Sequence, residues 1–252
     1  MQKRSVRWDE RAFVVEGAEL LRTALDAGLA VESVYLSPEG NDDRDVQSAC
    51  QKAIATGARH FALAPGVLER VADTVTPQPV LAVLPMLDHD VTTLTQPPSD
   101  SALLVVLVDV RDPGNAGTVL RTADASGASG VVFSADSVDP YNPKTVRSSA
   151  GSLFHVPFWT EHDALALTAS LGQAGYRTLA ATAKDGEDYA ALDWCQPSAV
   201  FLGNEAAGLT PEVAAATSAR LVIPMEGKAE SLNVGVASAV VCFEALRQRR
   251  TA

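Results

Sequence analysis

Cysteine is scarce in this 252-residue chain: Cys50, Cys195 and Cys242 lie far apart, with no C-x-x-C pair and no Cys/His cluster. That spacing excludes a disulfide framework and a structural zinc site, and it fits a reducing compartment. No apolar run approaches the ~20 residues of a spanning helix. The basic start Met1-Gln2-Lys3-Arg4 has no apolar segment behind it, so no secretory leader is expected. Positive charge is short as well: 20 Lys and Arg stand against 31 Asp and Glu, a formal net charge of −11. Phosphate contacts need Lys and Arg, so indiscriminate nucleic-acid binding is disfavoured and any basic surface must be local. Lys3, Arg4, Arg7 and Arg11 at one end, and Arg247, Arg249 and Arg250 at the other, read on charge alone as solvated termini before they read as a binding surface. What remains is a globular protein expected in the cytoplasm, with neither membrane nor metal as a partner.

Familiar motifs are missing too. There is no G-x-G-x-x-G after the first long apolar strand, no G-x-x-x-x-G-K-[ST] and no G-x-S-x-G elbow. The four histidines, His60, His89, His155 and His162, fall in none of the loops singled out below; His155, between Phe154 and Val156, reads as a core residue.

What is present is alternation. Leu94-Thr95-Gln96-Pro97-Pro98-Ser99-Asp100-Ser101 disfavours helix and central strand, and places a boundary: a first domain over residues 1–94, a linker over 95–101 and a second domain over 102–252. In the first domain, Phe13 to Ala27 has helical spacing with Gly28 as a stop, and Val46 to Thr56 reads as a second helix. Val31 to Leu36, His60 to Leu63 and Val80 to Leu84 read as strands, and Pro38 to Asp45 as an exposed loop. In the second, Leu103 to Val108 is a continuous apolar run, typical of a strand buried on both faces of a parallel sheet. Strand candidates follow at Gly130 to Phe133, Thr178 to Thr182, Ala199 to Leu202 and Leu221 to Ile223. Helical patterns at Gly117 to Ser126, Ala164 to Ala174, Pro211 to Thr217 and Val234 to Arg247 separate most of them. Strand–helix alternation predicts an α/β protein with a parallel sheet.

Ligands in such sheets bind beyond the carboxyl ends of strands. Three polar, glycine-bearing stretches lie there: Asp109 to Gly117, followed by a helix bearing Arg121; Gly203-Asn204-Glu205-Ala206-Ala207-Gly208; and Pro224-Met225-Glu226-Gly227 leading to Ser231-Leu232-Asn233. Singly, each reads as a turn and cap: Pro113-Gly114 turns and Asn115 caps, Thr210-Pro211 starts a helix, and Ser231 or Asn233 caps the last one. Their coincidence on one edge points to a site. Few consecutive backbone donors are offered to a pyrophosphate, so the loops suit a ligand without phosphates, gripped by main chain and a few amides. Chemistry there must run on Arg, Asn, Glu and Ser.

At these residues the chain resembles the SpoU/TrmH family of RNA 2'-O-ribose methyltransferases, in the SPOUT superfamily. The matching stretches are Asp109 to Arg121 continuing to Phe133, Phe201 to Leu209, and Ile223-Pro224-Met225 with Glu230 to Val234; Tyr141 to Gly151 is also similar. The first domain is similar to the family's small RNA-binding domain through Phe13 to Gly17 and Val80 to Val83, with Gln78-Pro79 where a Gln-Gly pair is usual.

The resemblance implies a small α/β amino-terminal RNA-binding domain, then a parallel-sheet SPOUT domain with a carboxyl-terminal trefoil knot, an exception to the rule against threaded chains. It implies S-adenosyl-L-methionine bound by Thr182, Gly203, Asn204, Ile223, Met225 and Leu232, and a homodimer through the carboxyl-terminal domain. The last-helix stripe Val236, Ala239, Val240 and Phe243 serves either core or dimer. Arg121 is implied as the critical residue. A guanidinium is a poor base, which favours an electrostatic clamp on the target phosphate. Asn115 with Ser231 or Asn233 would orient Arg121 and the ribose, and Glu205 would fix Arg121 or the loop backbone. Arg111, Lys144 and Arg147, with Lys3, Arg4 and Arg7, are the candidates for RNA contact. The expected substrate is ribosomal RNA, the alternatives being transfer RNA, an RNA- or ribosome-binding protein without catalysis, and a small-molecule enzyme on an ordinary open sheet.

Overall fold

The computed structural model describes every residue except Gln2, Asp73, Val75, Asp88, Pro97, His162 and Ala252. Pro97 of the linker and the histidine His162 thus lie outside the described residues. Along the chain run α1 (Arg4–Glu10), β1 (Ala12–Glu16), α2 (Ala18–Asp26), β2 (Ser33–Leu36), α3 (Arg44–Ala55), β3 (Arg59–Ala62), α4 (Leu68–Val71), β4 (Val80–Pro85), β5 (Leu103–Leu107), α5 (Pro113–Ser126), β6 (Gly130–Ser134), α6 (Pro143–Ser148), β7 (Phe158–Glu161), α7 (Ala164–Ala174), β8 (Arg177–Thr182), β9 (Glu187–Asp188), β10 (Ser198–Leu202), α8 (Pro211–Ala216), β11 (Ala219–Val222) and α9 (Val234–Arg249).

These elements form two compact units, one of Met1–Asp88 with Tyr141–His155, the other of His89–Pro140 with Val156–Ala252. The first holds a four-stranded sheet of order β1-β4-β2-β3, antiparallel except for the parallel β2–β3 pair. Phe13 to Val15, expected as the start of a helix, form β1 instead, paired antiparallel to β4 with Phe13 opposite Leu84. The helix begins only after Gly17, whose φ of 97° suits glycine. The Pro38 to Asp45 stretch, expected as an exposed loop, contains a 3-10 turn over Pro38–Asn41 that buries Gly40.

Residues 141–155 join this unit rather than the one their sequence position suggests. The Tyr141 ring meets Phe13 at 4.9 Å, its hydroxyl donates to the Leu87 carbonyl at 2.9 Å, and Arg147 pairs with the buried Glu16 at 3.3 Å. Two expectations fail there. His155 is exposed rather than a core residue, and Arg7, a candidate for RNA contact, is 2% exposed and donates to the Met1 carbonyl.

The second unit holds a seven-stranded sheet, among the described residues, of order β7-β6-β5-β10-β8-β11-β9, with every pair parallel. β5, β6 and β10 are buried along their whole length, as expected of strands covered on both faces. Leu104, Val106 and Phe201 pack with Leu167 and Leu171 of α7 and Val213 of α8, while the alternate residues Leu103, Val105 and Leu107 are buried on the opposite face. Leu94, just before the linker, belongs to this core, so the units part at Asp88 and not at Leu94. α5 starts at Pro113, four residues before the expected Gly117, because the Asp112 carboxylate accepts from the Asn115 N–H at 2.9 Å and proline fits the first turn.

Candidate active site

A parallel sheet delivers all its strand carboxyl ends to one edge, and β5, β8, β10 and β11 are neighbours there. After β5, Asp109 adopts a left-handed φ of 53°, a conformation that Asp tolerates better than most residues. Its carboxylate takes two bonds from the Arg111 guanidinium, at 2.7 and 3.3 Å, which raises the Arg111 pKa above its ordinary value.

After β10, the loop folds back on itself. Asn204 and Gly208 exchange main-chain bonds at 3.1 and 2.9 Å, and the Asn204 side-chain Oδ1 accepts from the Ala206 and Ala207 N–H groups. Its amide nitrogen donates across to the Asp109 carbonyl at 2.8 Å. Gly203 has to be glycine here: an added Cβ would collide with the main chain of Gly208 and Leu209.

Glu205 joins this loop to the first one. Its carboxylate accepts from the Arg111 N–H at 3.3 Å, the Asp112 N–H at 3.1 Å and the Asn115 amide at 2.9 Å. Burial pushes its pKa up, but the Asn115 and main-chain donors outweigh that, and the group sits below its ordinary value. The Asn115 amide oxygen in turn accepts from Asn233 at 2.8 Å, and the Asn233 oxygen caps α9 at Gly235 and Val236. Glu205, Asn115 and Asn233 therefore form one relay that ties the three loops together. α9 packs on α5, and the fit is close: a Cβ on Gly235 would stand 2.8 Å from Thr118.

Beside the relay opens a cavity of about 380 Å³. Thr182, Gly203, Asn204, Ile223, Met225 and Leu232, the six cofactor candidates, all line it, together with Glu205 and Ser231. Its remaining wall is largely apolar, from Leu202, Leu209, Leu221 and Val234. Along Ile223 to Leu232 the main chain makes no hydrogen bond among the described residues, so its N–H and C=O groups are open to a ligand. Apolar walls with unpaired main chain fit a nucleoside read by its ring and backbone contacts, as S-adenosylmethionine would be. Among the described residues no group of His, Cys, Asp or Glu is placed to hold a metal ion.

Other candidates lie elsewhere. Arg121 is exposed on α5 and does not line the cavity; with the helix starting at Pro113, it sits two turns in rather than one. It has no hydrogen-bond or ion-pair partner among the described residues. Glu205 holds the loop backbone and Asn115, not Arg121. Arg111 is committed to Asp109, while Lys144 and Arg147 lie on α6 in the first unit. Two features escaped sequence reasoning: Asp109 as the anchor of Arg111, and the apolar walls Leu209 and Val234, which carry no signal distinguishing them from core.

Comparison with known proteins agrees with this geometry. Residues 102–243 match the model of the SpoU rRNA Methylase family, and residues 1–82 that of the MRM3-like substrate binding domain. The chain is 32% identical over 238 residues to the 23S rRNA (guanosine(2553)-2'-O)-methyltransferase RlmP of Bacillus subtilis, covering 94% of this chain and 89% of that protein. The AdoMet-bound rRNA methyltransferase from Sinorhizobium meliloti superposes with a TM-score of 0.85 at 31% identity, over 98% of this chain and 91% of that one. The SpoU methyltransferase AviRb from Streptomyces viridochromogenes, in complex with AdoMet, superposes with a TM-score of 0.87 at 28% identity, over 99% and 95%. With matches that run through both units and all three loops, the chain belongs to the SpoU rRNA methylase family.

Proposed function

We propose that the protein transfers a methyl group from S-adenosylmethionine to a ribose 2'-hydroxyl of 23S ribosomal RNA. The relay of Glu205, Asn115 and Asn233 beside the cavity carries this reading. When bound, the cofactor supplies a methyl group already activated on a sulfonium, so the protein's work is positioning and charge. Ile223, Met225 and Leu232 would hold the cofactor by main chain and apolar contact, with Thr182, Gly203 and Asn204 completing the cavity. Glu205 keeps the first two loops in register, and Asn115 and Asn233 keep the third against them. Ser231, on the cavity wall, would orient the ribose. Arg121, exposed and unpartnered, clamps the phosphate beside the reacting ribose and eases loss of the hydroxyl proton.

Residues 1–88 with 141–155 serve as the RNA-binding domain and 89–140 with 156–252 as the methyltransferase domain with its carboxyl-terminal knot, Lys144 and Arg147 adding RNA contacts from the first unit. A homodimer through α9 accounts for Val236 and Phe243, 49% and 47% exposed on that helix. Among the described residues no helix is long and apolar enough to cross a membrane, and a ribosomal substrate places the protein in the cytoplasm.

The test is transfer of tritiated methyl from S-adenosylmethionine to deproteinised ribosomal RNA. A 2'-O-methyl blocks alkaline cleavage of the adjacent linkage, so label recovered in an alkali-resistant dinucleotide is the expected result. No label, or label on a base, overturns the proposal.

A further inference from the structure

The sheet of the first unit has a second side that the proposed reaction leaves unused. Its registers place Val14, Val83, Ser33 and Arg59 in one row across the strands, and Glu16, Leu81, Tyr35 and Phe61 in the next. The alternate residues Phe13, Val15, Ala82 and Val34 are buried. On the side of these two rows, Val14, Tyr35, Leu81 and Val83 stay half-buried and floor a cavity of about 500 Å³. That is within the roughly 300–1,000 Å³ of small-molecule sites.

The lining is specific. Tyr35 faces the cavity and stacks on the adjoining Phe61, outside the lining, with ring centroids 5.1 Å apart and planes 15° apart, and Phe61 is 40% exposed. The Arg59 guanidinium stands over the Phe61 ring at 5.9 Å and has no hydrogen bond or ion pair among the described residues. Facing this, one oxygen of Glu16 accepts from the Thr74 hydroxyl at 2.7 Å and the Gln78 N–H at 3.0 Å, and the other from Arg147 at 3.3 Å. The Glu16 side chain is 5% exposed, so its charge is committed to anchoring Arg147. Arg147 borders the cavity with its remaining N–H groups unclaimed among the described residues.

An apolar peptide would account for the floor alone. It would not account for a stacked aromatic pair with one free guanidinium and one anchored guanidinium beside it. A flat ring bearing acceptor atoms and joined to an anion accounts for all three. We infer that this cavity takes one unstacked nucleotide of the substrate RNA, its base continuing the Tyr35–Phe61 stack from the Tyr35 side, its phosphate on Arg59, and an acceptor on its base edge facing Arg147. The inference rests on RNA being the substrate.

The experiment uses the full-length protein and deproteinised ribosomal RNA. Phe61 and Arg59 are exposed, so Phe61→Ala and Arg59→Ala leave the fold intact. Each raises the KM for RNA roughly tenfold, the scale of losing one base stack, while affinity for S-adenosylmethionine moves less than twofold. Phe61→Tyr, which keeps a ring, restores the wild-type KM, and ultraviolet cross-linking attaches RNA to the peptide holding Tyr35 or Phe61. Unchanged KM and no cross-link in that peptide overturn the inference while leaving the methyltransferase reading standing. Adenosine monophosphate binding lost in Phe61→Ala with no change in the RNA KM assigns the cavity to a free nucleotide, and a changed sedimentation coefficient with no change in RNA KM assigns the face to a second copy; either result overturns it. A wild type that transfers no methyl to ribosomal RNA overturns the RNA reading, and this inference with it.

Discussion

The two sheets bury their residues differently. In the second unit β5, β6 and β10 are closed on both faces, so a ligand finds room only where the strands end, in loops braced by Glu205, Asn115 and Asn233. In the first unit β4 alternates buried and half-buried residues, and β3 is exposed throughout, so the sheet face is itself available. A sheet covered twice concentrates its chemistry at an edge, where a few hydrogen bonds set geometry to fractions of an ångström. A sheet covered once offers a broad surface, suited to holding a large substrate rather than acting on it.

The comparison is tested most severely at Arg121. Arg121→Ala should lower methyl transfer by roughly a thousandfold, the upper range for removing one electrostatic stabiliser, with cofactor affinity unchanged. Arg121→Lys should recover little, because an ammonium lacks the planar two-point grip. Single-turnover methylation with parallel cofactor titration measures both. Next comes Gly203→Ala. Its Cβ has no room against Gly208 and Leu209, so the loop must open, and calorimetry should show cofactor affinity down by about a hundredfold, equivalent to ~3 kcal/mol.

Glu205→Gln should cost less, about tenfold in cofactor affinity or turnover, since the amide still accepts from the first loop but without charge assistance. This brace also has an acid limit. The folded-state pKa of Glu205 is below its ordinary 4.5, so its contribution is complete above that value and is lost as pH falls through the lowered one. Loop-dependent cofactor binding should weaken there in the wild type and not in Glu205→Gln. The smallest effect is on thiol chemistry. Cys242 is buried and pushed up to about 11, and burial raises Cys50 as well. Native protein at neutral pH should therefore react with iodoacetamide first at the partly exposed Cys195, and mass spectrometry of the alkylated peptides would show the order.

Much of the second unit was legible because its signals are local. Continuous apolar runs mark β5 and β10, and α7 spans the residues its spacing predicts. The convergence of the three loops followed from parallel strands alone. The first unit was harder because its decisive pairing is distant. Val14, Ala18, Leu21 and Leu25 satisfy a helical period, but β4, the partner that makes Phe13 to Val15 a strand, lies more than sixty residues away. In the site, residue types are readable and the wiring is not: the sequence leaves both Arg121 and the loop backbone open as partners of Glu205, and only geometry separates the two. Arg121 lies two turns into α5 because Asp112, and not Asn115, caps the helix and so adds a turn before it.

The ion pair between Arg147 and Glu16 joins residues 131 positions apart, and it sets an order of assembly. The first unit is interrupted in sequence: its opening portion ends at Asp88 and its closing portion at His155. During synthesis at ~5–20 residues per second, the amino-terminal portion emerges roughly three to thirteen seconds before the segment that covers Phe13 and neutralises Glu16. Throughout that interval it carries an uncovered aromatic ring and a Glu16 carboxylate held by Thr74 and Gln78 but lacking its guanidinium partner. The nascent chain is most open to aggregation and to chaperone capture in this window, and it closes only when Tyr141 and Arg147 have left the ribosome.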